Sequence, residues 1–183
     1  HIPETADKFL IGTFPTEEKN RKQSFFYCSG RNRFWDVLAN VAATELCPLS
    51  SESAIKERKD ILQTLKLGLT DMGKIILRQR KSSNDHSLFP IEFMDITQLL
   101  YSNPNIHTLT VSGNLQGNSS LSWFGTYCSL NKVDIDLKEI DKAKRTKVRI
   151  ADREVAILLG YSGSGISRKK TQELIESYKN ILQ

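Results

Sequence analysis

The chain has 183 residues, 39% of them apolar, and a mean hydropathy of -0.37. That length buries a core without staples, and no apolar run reaches the about 20 residues that a membrane-spanning helix needs. Lys and Arg number 26 against 21 Asp and Glu, a net charge of +5, which permits an anionic partner such as nucleic acid without requiring one.

The opening His1-Ile2-Pro3-Glu4 has no apolar core behind a basic segment and does not read as a signal peptide; His1 reads as a tag or trimming remnant. Cys28, Cys47 and Cys128 lie far apart, and no two have metal-ligand spacing. They point to a reducing cytoplasm, with no disulfide framework, no zinc and no iron–sulfur cluster expected.

Short apolar runs alternate with helical periods, which implies an α/β chain with a largely parallel sheet and one domain over 1–183. Lys8 to Pro15 reads as a buried strand that gives way to a loop at Gly12, and Thr16 to Ser24 as a polar, basic loop. Phe34 to Thr44 has helical period, with Phe34, Trp35, Leu38, Val41 and Ala42 on one face. Ser53 reads as the N-cap of a second helix running to about Lys66, with Ile55, Ile61, Leu62 and Leu65 as its stripe. In the apolar stretch Leu67 to Leu77, Leu69 to Asp71 reads as a strand or strand end and the rest as a loop. Pro90 is expected to open a helix to Leu100. Ile106 to Ser112 reads as a strand ending at Gly113, and Leu121 to Leu130 as an amphipathic helix. The charge-dense Val133 to Asp152 reads as an antiparallel excursion, turning at Ala151 to Glu154 into a last core strand, Val155 to Leu159. Ser167 is expected to cap a final helix to Leu182, with Leu174, Ile175, Tyr178 and Ile181 inward. In open α/β sheets ligands bind beyond the carboxyl ends of the strands. The turn residues Gly12 to Pro15, Ser112 to Asn114 and Tyr161 to Gly165 should therefore converge on one cleft.

The last of these turns, Ser162-Gly163-Ser164-Gly165-Ile166-Ser167-Arg168, resembles the Ser- and Gly-rich loop of mismatch-specific uracil-DNA glycosylases. Ile11-Gly12-Thr13-Phe14-Pro15 is similar to the first motif of that superfamily. Phe26 to Trp35, with Asn32-Arg33-Phe34-Trp35 at its end, is similar to the Asn-x-Phe-Trp stretch of the mismatch and hypoxanthine branches. Leu69-Thr70-Asp71 and Ser112-Gly113-Asn114 fall in order between them. Two positions depart from the pattern. Gly163 stands where a proline precedes the central serine, and Thr13-Phe14 stand where the best-known members carry a catalytic Asp or Asn.

The resemblance implies a three-layer α/β/α fold with a short, mainly parallel sheet. It also implies a cofactor-free monomer that removes uracil or hypoxanthine from DNA in the cytoplasm, associated with the nucleoid. Such an enzyme extrudes the base into a pocket and breaks the glycosidic bond through an oxocarbenium-like transition state. Asn32 then holds the attacking water, and Thr13 and Phe14 supply main-chain N–H groups to the departing base, each worth about 3 kcal/mol when well placed. Tyr27, Phe34 or Phe26 stacks on the base, Asn114 reads its edge, and His86 is the alternative proton donor. Ile166 is the wedge that fills the gap in the duplex. Ser162, Ser164, Gly165, Ser167, Arg168 and Lys169 hold phosphate with the amino end of the last helix, and each neutralised phosphate adds about 0.9 to the salt slope.

Duller roles stand beside these. Asn32 also reads as an N-cap, which does not exclude catalysis. Phe34 and Trp35 read as core, His86 as solvated, and Lys142 to Arg149 as a solvated hairpin face. Two rivals remain: a DNA-binding relative without chemistry, and a small-molecule nucleoside hydrolase or esterase on a similar scaffold.

Overall fold

The structure, a computed structural model, describes residues 1–30, 32–79, 85–164 and 169–182. Its frame is a five-stranded sheet built from β1 (Lys8–Gly12), β2 (Leu67–Asp71), β5 (Thr108–Ser112), β6 (Arg145–Ile150) and β7 (Arg153–Gly160), in the order β2-β1-β5-β7-β6. The first four strands of that order run parallel and β6 antiparallel. β3 (Gly73–Arg78) and β4 (Leu88–Phe93) form a separate antiparallel pair.

Alternation along the strands builds the layers. Phe9 and Ile11 of β1, with Leu109 and Val111 of β5, face one core, closed by α3 (Ile96–Ser102), α4 (Ser120–Leu130) and α5 (Leu137–Ala143). Leu10, Leu67 and Leu69 face the other, closed by α1 (Phe34–Val41), α2 (Ala54–Thr64) and α6 (Thr171–Leu182). The result is the three-layer α/β/α arrangement with a mainly parallel sheet. No helix among the described residues is long and apolar enough to cross a membrane. The main chain of His1 pairs with Leu69 in both directions, at 2.9 and 2.8 Å, beside the edge strand β2.

Several local expectations are corrected. Gly73 to Leu77 is strand rather than loop, and Pro90 sits in β4 opposite Ile76 rather than opening a helix. Proline removes a donor, and a two-stranded edge tolerates that loss. The helix starts at Ile96 instead, where the Asp95 carboxylate accepts from Gln98 N–H at 2.9 Å. Ser53 precedes α2 but makes no capping bond. The charge-dense segment holds the helix α5, capped by Asp136, before the expected hairpin. α4 is buried on most sides, through Trp123, Phe124, Gly125, Tyr127 and Cys128, rather than amphipathic. The last helix begins at Thr171; the expected cap, Ser167, lies outside the described residues.

Candidate functional site

β1, β2, β5 and β7 end side by side at Gly12, Asp71, Ser112 and Gly160, with Gly12 in register with Asp71 and Ser112 with Gly160. Beyond these ends lies a cleft of about 340 Å³. The loop after β1, the segment Phe25 to Asn32, and Ser162 and Ser164 after β7 form its walls.

The loop after β1 is held by main-chain bonds that continue the sheet: Met72 N–H donates to Gly12 O at 2.8 Å and Gly73 N–H to Thr13 O at 3.0 Å. Arg78 donates to Pro15 O at 2.8 Å and stands over the Phe14 ring at 5.8 Å. Thr13 and Phe14 both line the cleft, and Phe14 also packs on the core.

Tyr27 lines the cleft from the opposite side with φ of 54°. That left-handed conformation is uncommon outside glycine, and such positions cluster where surrounding structure overrides local preference. Its ring lies 4.2 Å from that of Phe34. Phe34 itself is 1% exposed, packed among Tyr27, Trp35 and Tyr178. It backs the tyrosine instead of meeting a base, so its expected stacking role is not supported.

Asn32 lines the cleft. Its Oδ1 accepts from Phe34 N–H at 2.9 Å, so it caps the start of α1. An amide oxygen has a second lone pair, and the NH₂ group adds two donors, so capping leaves the side chain polar capacity toward the cleft. Gly163 explains the missing proline. A Cβ there would stand 3.0 Å from Asn32 Oδ1 and from Phe34 N and Cα. The loop after β7 thus rests directly on the start of α1, joined by Arg33 N–H to Gly163 O at 2.9 Å.

Arg33, given no role in the sequence, donates through its guanidinium to Lys169 O at 2.9 Å and ties the approach of α6 to α1. Lys169 lies over the Tyr161 ring at 4.7 Å and pairs with Glu173 at 3.0 Å. The Lys170 N–H, followed by the Lys169 ammonium, holds the Glu173 carboxyl below the usual carboxylate range. Glu173 therefore supplies an anion at this helix end, and the basic run there does not by itself require a phosphate. Gly165, Ile166, Ser167 and Arg168 lie outside the described residues.

Two other expectations do not meet the cleft. Asn114 is exposed, with Oδ1 accepting from Gln116 N–H at 3.0 Å; the base-reading role is not supported. His86 is exposed and lies against Gly117, away from the cleft walls. In their place the structure brings in Asp71, a cleft residue only 9% exposed, on the floor beside Gly12. Gly12 makes room for it: a Cβ there would stand 2.1 Å from Asp71 Oδ1 and 2.7 Å from the Tyr27 hydroxyl. Among the described residues no three His, Cys, Asp or Glu side chains gather as metal ligands.

No protein-family model matches the chain, and no curated protein does. Among solved structures it is similar to the solution structure of a protein from Methanosarcina acetivorans proposed to be a uracil DNA glycosylase. The TM-score is 0.63 at 17% identity, over 100% of this chain and 94% of that one. At that identity the likeness is one of fold.

Proposed function

We propose that this chain is a monofunctional DNA glycosylase that flips uracil or hypoxanthine from DNA and hydrolyses its N-glycosidic bond. The observation that carries the reading is the meeting of Asn32, Thr13, Phe14 and Tyr27 on the walls of one cleft at the carboxyl ends of the parallel strands. Its volume suits a small ligand. The shared fold with a protein proposed to be a uracil DNA glycosylase supports the same class.

In this reading Tyr27 stacks on the extruded base. Main-chain N–H groups at Thr13 and Phe14 stabilise the charge that develops on the leaving base. Asn32 positions the water that attacks the anomeric carbon. It cannot take a proton at neutral pH, so the departure of the base leads the reaction. Ser162 and Ser164 on the rim accept the flanking phosphates, with Lys169 close by, and Ile166 enters the vacated stack. No amine is assigned to the sugar, which leaves hydrolysis without a lyase step.

The test is cleavage of duplexes carrying uracil or hypoxanthine opposite each normal base, with Asn32→Ala beside the parent chain. The expected result is abasic product from the parent and a loss of about 100-fold or more in the variant, the scale for a misplaced reacting group. Salt-sensitive binding without cleavage of any duplex would leave a DNA-binding relative. Hydrolysis of free nucleosides alone would favour a small-molecule nucleoside hydrolase.

A further inference from the structure

We infer that Asp71 is the specificity-determining residue of the cleft, a carboxylate that selects deaminated bases by accepting the ring N–H that deamination creates. The inference rests on the glycosylase reading and adds to it the chemical test that separates a damaged base from its parent.

The placement comes from the sheet. β2 is buried along its whole length, and Asp71 is its last residue, in register with Gly12 on the central strand β1. A carboxylate so enclosed needs polar partners. Its Oδ1 lies over the bare Cα of Gly12, and the Tyr27 hydroxyl reaches the same niche from the opposite wall. The floor of the cleft therefore offers an acceptor-only group beside a group that donates. A carboxylate has about four lone-pair sites, so contacts within the protein do not exhaust it.

That pair complements a defined edge. Cytosine and adenine present a ring nitrogen that accepts, next to an exocyclic amine that donates. Deamination reverses both. Uracil presents N3–H beside O4, and hypoxanthine presents N1–H beside O6. The ring N–H then donates to Asp71 and the carbonyl accepts from Tyr27. With the parent base, the sugar tether keeps the same edge forward, and the ring nitrogen's lone pair faces the carboxylate. A site built around one hydrogen bond strongly rejects a ligand that cannot make it, because its own buried group is left unpaired. Thymine and guanine share the N–H and carbonyl edge, so Asp71 sorts each deaminated base from its parent.

The experiment compares cleavage of uracil with N3-methyluracil, and of hypoxanthine with N1-methylhypoxanthine, in otherwise identical oligonucleotides. In the parent chain the methylated bases should be cleaved at least about 100-fold more slowly in kcat/KM, in line with a lost buried hydrogen bond. In Asp71→Asn, and independently in Asp71→Ser, that ratio should shrink to within about tenfold while the uracil rate falls. The shape of the pH profile should remain that of the parent. Comparable cleavage of methylated and unmethylated bases by the parent chain would overturn the inference without any variant. So would an undiminished ratio in a folded variant. A parent chain that cleaves no substrate would overturn the glycosylase reading together with it, whereas cleavage with no N-methyl discrimination would overturn only the role of Asp71.

Discussion

Gly12→Ala tests the geometry of the cleft floor with a single methyl group. The new Cβ would stand 2.1 Å from Asp71 Oδ1 and 2.7 Å from the Tyr27 hydroxyl. An unstrained carbon–oxygen contact is about 3.3 Å, so the carboxylate must retreat by roughly 1 Å. Asp71 has little room, since it is 9% exposed. Overpacking of this kind costs about 1–3 kcal/mol, and the lower chain entropy of alanine offsets about 0.5–1 kcal/mol. A net loss of about 1–2 kcal/mol lowers Tm by about 2–8 °C in a chain of this size. Calorimetry on Gly12→Ala, Asp71→Ala and the double variant separates the contact from everything else. Removing the carboxylate removes the nearest obstacle, so the double variant should be more stable than the sum of the single changes by at least about 0.5 kcal/mol. Single-turnover cleavage should fall by about 100-fold in Gly12→Ala, the scale for a 1 Å misplacement. An unchanged or raised Tm together with full cleavage would refute the claim that the carboxylate rests on Gly12.

Two further outcomes follow from contacts away from the floor. Arg33→Ala removes the donor to Lys169 O; a charged hydrogen bond of this kind contributes about 1.5–3 kcal/mol. Amide exchange should speed in the first turn of α6 more than in its last, and equal protection in both proteins would count against the tether. Burial pushes the Cys128 thiol up to about 12 from its model value of 9.0. The folded state then keeps a proton that the unfolded state releases, so stability is whole below pH 9 and declines between about pH 9 and 12, by up to about 1.4 kcal/mol per unit. Denaturant titrations should show that decline weakened in Cys128→Ala, and parallel curves would contradict it.

The strand ends were the most legible part of the chain, because a short buried run closed by Gly or Ser has few alternatives. Gly12, Ser112 and Gly160 all arrive at the edge where a ligand was expected. Asp71 was visible as a strand end, but nothing local separates a cleft carboxylate from a turn aspartate. Only its register with Gly12, a residue distant in sequence, puts it on the floor. The hairpin of β3 and β4 was obscured for a different reason. Ile75, Leu77, Phe89 and Ile91 are exposed, so their spacing does not report burial. Pro90 sends the same signal at a helix start as on an edge strand. Helix α5 has one buried residue, Ile140, too little for an apolar period to show through its charges. Asn32 was read correctly as a helix cap, and its second role depends on a loop that arrives from more than a hundred residues away.

The order of strands in the sheet also sets a timetable for the chain as it is made. β1 is synthesised first, yet its neighbours are β2 and β5, and β5 in turn is flanked by β7. Lys8 pairs with Leu67 and with Thr108, and Thr108 with Ala156. At about 5–20 residues per second, β1 waits for roughly 5–20 seconds before both partners exist. Through that interval Phe9, Leu10 and Ile11 form an unpaired strand with apolar side chains on both faces, the kind of segment that holdase chaperones bind and that aggregates when they are scarce. The cleft is assembled last, since Ser162 and Ser164 must arrive before its walls meet. A ribosome-bound fragment ending before β7 carries Asn32, Thr13 and Asp71 but has no closed site in which to use them.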